Sequence, residues 1–203
     1  MEDLQKIMTT DRDTSAKILA FAGSSRMDSW NKKLVAIAAA GARDAGAQII
    51  DVDLAEYPMP IYNGDWEKKN GQPPKAKELK SLMVECDGFL IGSPEYNGGY
   101  SPLLKNTIDW ISRPSPGEPP LSAFAGKKAA LLSASPGALG GIRGLAQLRQ
   151  ILTGIQVIVL PKQMALANAQ NAFNADGSLN DRAESEKVAE VGATLAIFIE
   201  KLR

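Results

Sequence analysis

The chain has 203 residues, 44% of them apolar and 23% charged, and its lysines plus arginines equal its aspartates plus glutamates at 23 each. That length suits one domain whose core needs no disulfide or structural metal, and the balanced charge gives no pull toward nucleic acid or an anionic membrane. There is no histidine and one cysteine, Cys86, which excludes intramolecular disulfides, histidine triads and histidine metal sites.

Met1 to Ala16 is polar, lacks the apolar centre of a signal peptide, and reads as a loose extension ahead of a domain over residues 17–203. No apolar run approaches the roughly 20 residues of a membrane span, so the expected location is the cytoplasm. KILAFA (Lys17–Ala22) reads as a first strand, stopping at Gly23-Ser24-Ser25. Asn31 to Ala45 has helical apolar spacing and closes on Gly46. Gln48–Val52 is a second strand, and Pro58 to Pro74 is rich in turn formers and reads as a long loop. A helix is predicted over Lys75–Glu85, then a strand over Asp87–Gly92 that ends at Ser93-Pro94. Cys86, just ahead of that strand, reads as a buried structural thiol, since no histidine exists to activate it. Leu103–Ile111 is helical, with a loop at Arg113–Pro120. Lys127–Ser133 is a strand that runs into the glycine-rich stretch Pro136–Gly144, followed by a helix to about Leu152 and a fifth strand at Gln156–Leu160. A last helix is predicted over Ser178–Arg203, offering Ala189, Val191, Leu195, Ile197 and Phe198 to the core.

Alternating strands and helices imply a parallel sheet with helices on both faces, joined by right-handed crossovers. Five strands fit the doubly wound order 2-1-3-4-5, whose ligand crevice lies beyond the strand C-termini. The six-strand dinucleotide fold would place GxGxxG after the first strand, where this chain has Gly23-Ser24-Ser25-Arg26.

Three loops carry the chemistry. Gly23 to Asn31 combines Ser24, Arg26, Ser29 and Asn31 with a helix N-terminus, the donors and positive field that a phosphate dianion needs. The same residues also fit a plain helix N-cap and a surface charge, and Asp28 sits awkwardly beside a phosphate. Ser93 to Pro102 holds Pro94, Glu95, Tyr96 and Asn97 ahead of paired glycines, suited either to a tight turn or to the rim of a flat aromatic ligand. Ser133 to Arg143, with Ser135 and Gly137, is a glycine-rich turn feeding a helix, which needs positive φ angles and also presents N–H donors. In the order 2-1-3-4-5 these loops leave neighbouring strands, so one crevice collects all three.

With those residues in view, the chain resembles the NADPH-dependent FMN reductase family, which includes chromate, quinone and azo-dye reductases. Gly23-Ser24-Ser25-Arg26 with Ser29 and Asn31, Pro94-Glu95-Tyr96-Asn97, Leu103-Leu104-Lys105-Asn106 with Asp109-Trp110, and Ser135-Pro136-Gly137 with Gly140-Gly141 and Arg143 carry the likeness over most of residues 17–160. The resemblance implies a flavodoxin-like fold with FMN as cofactor. Its phosphate would lie on Ser24, Arg26, Ser29 and Asn31, and its ring between Pro94, Glu95, Tyr96 and Asn97 and the pair Ser135 and Gly137. It further implies NADPH, or NADH, as hydride donor and a quinone, azo dye, chromate or free flavin as acceptor, in a ping-pong cycle without a catalytic side chain. Glu95 reads as a loop anchor rather than an acid. A homodimer or homotetramer is implied, with Lys105 and Asp109 either at the interface or paired on one helix face. The competing reading is a flavodoxin-type electron carrier or an FMN-binding module without NADPH turnover; the neutral charge and the Ser-Arg loop argue against the carrier.

Overall fold

KILAFA does form a strand, β1 (Lys17–Ala22), in the computed structural model, which describes residues 15–202. β2 is Gln48–Val52, β3 Gly88–Gly92, β4 Lys128–Ala134 and β5 Ile158–Leu166. All pair in parallel in the order β2-β1-β3-β4-β5, the flavodoxin-like arrangement. β3 is buried at every residue and β4 at all but its first, because helices cover both faces and such strands must be apolar throughout. The helices are α1 (Trp30–Asp44), α2 (Gly64–Asn70), α3 (Pro74–Glu85), α4 (Pro102–Ile111), α5 (Ile142–Gly154) and α6 (Arg182–Lys201).

Strand alternation splits the core in two. Ile18, Ala20, Leu90 and Leu132 face α1 and α6 through Leu34, Val35, Val191 and Leu195. Leu19, Phe21, Phe89 and Leu131 face α3, α4 and α5 through Leu79, Leu104, Trp110 and Leu148. On the first face α1 and α6 meet at glycines: a Cβ on Gly192 would lie 2.7 Å from the Ala38 carbonyl carbon.

Several predicted elements differ from those observed. The stretch Pro58–Pro74 is not one long loop but contains α2, started by the Asn63 side chain, which accepts the N–H groups of Asp65 and Trp66 at 2.9 and 3.0 Å. Its seven residues bury no side chain, so there was no apolar period to read. The fifth strand starts two residues later than predicted and runs on to Leu166, past a bulge opposite Ala129 and Leu131 of β4. Arg149 of α5 closes that bulge, donating to the Val159 and Leu160 carbonyls at 3.1 and 2.8 Å and to the Gln163 side chain at 2.8 Å. α6 begins at Arg182 rather than Ser178, under the Asp181 cap. Its buried stripe is Val188, Val191, Leu195 and Ile199, while Ile197 is 48% exposed. Cys86 is buried, as expected, and burial pushes its thiol up to about 11. The extension expected before residue 17 lies outside the described residues except for Ser15 and Ala16, and Ala16 is in the core. Among the described residues no helix is long and apolar enough to cross a membrane.

Candidate functional site

The ends of β1, β3 and β4 are stitched to one another by backbone. Gly23 N–H donates to the Gly92 carbonyl at 2.8 Å, and Ser93 N–H donates to the Leu132 carbonyl at 2.7 Å. Asn31, in the first turn of α1, reaches over to β4: its Nδ2 donates to the Ala134 carbonyl at 2.9 Å and its Oδ1 accepts the Ala134 N–H at 3.0 Å. Ser101, the N-cap of α4, donates to the Gly23 carbonyl at 2.6 Å and accepts the Leu104 N–H at 3.2 Å. The three loops singled out in the sequence therefore converge on one edge of the sheet. Tight packing underlies this: a Cβ on Gly92 would stand 2.6 Å from Cγ2 of Val35.

The first loop ends in an open helix N-terminus. Ser29 is the N-cap of α1 and is buried, yet its hydroxyl makes no capping hydrogen bond, and the first turn has no acidic residue. By contrast α2, α4 and α6 are capped by Asn63, Ser101 and Asp181. Ser24 is buried beside this terminus and accepts the Arg26 N–H at 3.3 Å. The Arg26 guanidinium lies 5.6 Å from the centre of the Trp30 ring and joins no ion pair among the described residues. Asp28, the awkward carboxylate, is taken by Lys33; that hydrogen bond and charge hold it below its ordinary value. Donors and a positive helix end thus remain open, the chemistry that suits an anion. Asn31 sits at the same spot, but its amide chiefly braces α1 against β4.

The second loop is a hairpin, Glu95–Tyr96 against Gly99–Tyr100, turning at Asn97 (φ 53) and Gly98 (φ 83). Two positive φ values in a two-residue turn are the type I′ pattern that Asn-Gly favours. Glu95 fastens the hairpin to α5: Oε1 accepts Nε and NH2 of Arg143 at 3.0 and 2.6 Å, and Oε2 accepts the Gly144 N–H at 2.9 Å. Gln147 adds a hydrogen bond to the Gly98 carbonyl at 2.8 Å. Glu95 therefore caps α5 from a distant part of the chain. Burial of its carboxyl would raise the pKa, but the Gly144 N–H and the Arg143 guanidinium outweigh it and hold the group below its ordinary value. A depressed carboxylate contributes stability that is complete above its unfolded pKa and disappears as pH falls through the lower folded one. Glu95→Gln is accordingly expected to cost about 1–2 kcal/mol at pH 7 and much less at pH 3, read from urea midpoints. An equal cost at both pH values would refute the anchoring charge.

The third loop rests on β5 and the chain just after it. Ser135 N–H donates to the Leu166 carbonyl at 3.1 Å, Ala169 N–H donates to the Ser135 carbonyl at 3.1 Å, and the Ser135 hydroxyl accepts the Gly137 N–H at 3.2 Å. Gly140 (φ 62) passes so close to β5 that a Cβ would lie 2.7 Å from the Ala165 carbonyl carbon. Gly141 (φ 91) covers Ser133, whose hydroxyl is buried without a protein partner among the described residues. Met27, Tyr96, Leu139 and Ile142 are exposed apolar side chains carried by these loops and by the start of α5. Sequence reasoning missed Gln147 and the long-range contacts of Ser101 and Gly144. Ser101-Pro102 does read as a helix start, and Ser101 is the N-cap of α4, but its bond to Gly23 joins segments far apart in the chain, and no local signal marks such contacts.

An open helix N-terminus beside two close-packed glycine loops has the chemistry that a phosphorylated flat cofactor would need. The family model for NADPH-dependent FMN reductases matches residues 16–171. The chain belongs to that family. Within this FMN reductase family it is 36% identical to an NAD(P)H-dependent FMN reductase of Pseudomonas aeruginosa over 188 residues, 92% of this chain and 97% of the relative. It is 32% identical to an NADPH:quinone oxidoreductase of Arabidopsis thaliana over 192 residues, 92% of this chain and 93% of the relative. Among solved structures it is similar to a flavoenzyme NAD(P)H:acceptor oxidoreductase of Paracoccus denitrificans, with a TM-score of 0.74 and 28% identity over 92% of this chain and 98% of that one. As an FMN reductase the chain is an oxidoreductase that uses FMN and NAD(P)H.

Proposed function

We propose that this FMN reductase passes electrons from NAD(P)H to quinone-type acceptors, which follow the nicotinamide into one shared site in a ping-pong cycle. The observation that carries the cofactor assignment is the N-terminus of α1, where the Ser29 hydroxyl makes no capping hydrogen bond and the nearby Arg26 guanidinium joins no ion pair among the described residues. Bound in the crevice, FMN would supply two-electron redox chemistry between the nicotinamide and the acceptor. Ser24, Arg26, Ser29 and the first N–H groups of α1 hold its phosphate, and Asn31 keeps that helix end against β4. Pro94, Glu95, Tyr96 and Asn97 border the ring on one side, Ser135 and Gly137 on the other. The rigid hairpin and the glycine turn exclude water and hold backbone N–H groups in place, which is the protein's electrostatic contribution. Glu95 orients the hairpin and transfers no proton, because both of its oxygens already accept hydrogen bonds.

Quinones are favoured as acceptors because relatives in a plant and in bacteria are named as quinone reductases. Azo dyes, chromate and free flavin are the further acceptors to test. Exposed Met27, Tyr96, Leu139 and Ile142 at the crevice support assembly as a homodimer or homotetramer. Lys105 and Asp109 pair with each other on α4, both carboxylate oxygens lying 2.7 Å from the ammonium.

The test is a visible spectrum of the purified protein with FMN, then initial rates of NADPH and NADH oxidation with each acceptor. Flavin absorbance and parallel double-reciprocal lines with a quinone are expected. FMN-loaded protein that oxidises neither nucleotide with any acceptor ends this reading.

A further inference from the structure

The last strand of the sheet leaves regular pairing on its way to the crevice. Val159 stands opposite Ala129 and Gln163 opposite Leu131, so the single residue Ala130 of β4 faces Leu160, Pro161 and Lys162 of β5. Two extra residues are an even number, so the strand keeps its inward and outward faces, but everything beyond them is offset by two positions. In the unbroken register Ser133 and Ala134 would meet Gln163 and Met164; they meet Ala165 and Leu166 instead. That offset serves the third loop. The Leu166 carbonyl accepts the Ser135 N–H at 3.1 Å, and the Ala169 N–H donates to the Ser135 carbonyl at 3.1 Å. At the other end of the turn, a Cβ on Gly140 would lie 2.7 Å from the Ala165 carbonyl carbon and 2.8 Å from that of Leu166. Gly137, between them, is tied to both ends: its N–H donates to the Ser135 hydroxyl and its carbonyl accepts the Gly140 N–H, each at 3.2 Å. The position of this turn is therefore set by residues 165–169.

Arg149 of α5 holds the offset in place. In a regular strand successive carbonyls point to opposite sides, so one side chain does not reach two in a row. At the bulge the Val159 and Leu160 carbonyls both turn to one guanidinium, Nη1 donating at 3.1 Å and Nη2 at 2.8 Å, and Nη2 also donates to Gln163 Oε1 at 2.8 Å. A planar fork of fixed donors suits two neighbouring acceptors in a way that an ammonium does not. Pro161 has no N–H to offer a ladder and fits a break in an edge strand. Arg149 is half-buried, so its charge-assisted bonds are little screened. The Lys162–Glu190 pair acts on the same stretch, but its side chains are 37% and 61% exposed, where an ion pair contributes little. Bulges beside a site re-aim the chain that follows them.

We propose that Arg149 is a positioning residue for the flavin ring: by holding the β5 bulge it sets the register that places the Ser135–Gly137 turn against the ring. Arg149 belongs to none of the three crevice loops and acts only through residues 165–169. The proposal rests on the ring placement given above, with Ser135 and Gly137 on one side.

The test compares the full chain with Arg149→Met, which keeps an apolar stem and removes the fork, and with Arg149→Lys. Hydrogen exchange of the peptide spanning residues 133–140, read with FMN bound, is expected to speed about tenfold in Arg149→Met as a locally held segment is released. FMN and riboflavin should both bind about five- to tenfold more weakly, and by the same factor, because the change reaches the ring and not the phosphate end. The visible circular dichroism of the flavin-saturated protein should also change, which a general loss of stability does not bring about at saturation. Arg149→Lys keeps the charge without the fork and should recover part of each effect. Unchanged exchange in Arg149→Met overturns the proposal, and so does a loss of FMN affinity that riboflavin does not share. Faster exchange with wild-type affinity and dichroism overturns it as well, and Gly137→Val then locates the fault. If that variant is equally silent, the ring does not lie on this turn and the ring placement falls; if it is not, the placement stands and only the role of Arg149 is lost. Should Arg149→Met not fold, Gln163→Leu removes one of the three acceptors and must move exchange, affinity and dichroism in the same direction.

Discussion

Arg26→Ala is expected to weaken FMN binding about tenfold to a hundredfold, the loss that follows from removing one or two hydrogen bonds to a charged group. The reasoning starts from the electrostatics of α1. Its N-terminus has no side-chain cap and no acid in the first turn, and Lys33 occupies the carboxylate of Asp28. Arg26 is the side-chain cation at that helix end which no carboxylate neutralises among the described residues. A phosphate dianion bound there gains the helix field and the guanidinium together. The decisive comparison is with riboflavin, which lacks the phosphate. Wild-type protein should prefer FMN to riboflavin strongly, and Arg26→Ala should narrow that preference while leaving riboflavin affinity near its wild-type value. FMN affinity should also fall below about pH 6, where the phosphate takes up its second proton, and fall less in the variant. Fluorescence titrations of both flavins at pH 5.5 and 7.5 measure all of this. Equal losses for FMN and riboflavin would remove Arg26 from the phosphate site.

The sheet was legible because its central strands have no solvent face to satisfy. The run KILAFA in β1 is apolar after its first residue and GFLIG in β3 is apolar throughout, and turn residues punctuate them. Strand order then placed the loops after β1, β3 and β4 side by side without any contact being known. What resisted reading was pairwise and distant. Glu95 reads as a loop anchor from the sequence, but its partners appear only when α5 brings Arg143 and the Gly144 N–H to its two oxygens. Asn31 is an obvious phosphate donor by type, yet most of its amide goes to Ala134. The bulge in β5 depends on Arg149, a residue from the preceding helix, so the run Gln156–Leu160 understated the strand. Ile197 is apolar and available to the core by type, yet it is 48% exposed. The 3.6-residue period set by Val188, Val191, Leu195 and Ile199 carries it to the outside.

Gly192→Ala tests the packing on which the phosphate site stands, and it is expected to destabilise the protein by about 1–3 kcal/mol, the usual cost of overpacking a tight core. Two effects oppose each other. Alanine in a helix interior is favoured over glycine by about 1 kcal/mol, and Gly192 lies well inside α6. Against this, the new methyl would press on the Ala38 carbonyl, with its carbon 2.7 Å away and the Ala42 nitrogen at 3.2 Å. These are backbone atoms of α1, locked into its hydrogen-bond ladder, so no side chain can swing aside. The helices must separate, and the packing cost wins. Gly154 supplies the control: it closes α5, and a Cβ there would meet nothing within 4 Å, so Gly154→Ala should be neutral or stabilising by up to about 1 kcal/mol. At this chain length each kcal/mol moves the melting temperature by about 2–4 °C. Thermal unfolding of the two variants should therefore diverge in sign or clearly in size. Because the helix pushed by Gly192→Ala is the one whose N-terminus forms the phosphate site, FMN affinity should weaken several-fold in that variant and stay unchanged in Gly154→Ala. Two variants with the same melting temperature would show that the α1–α6 contact is looser than its glycines indicate.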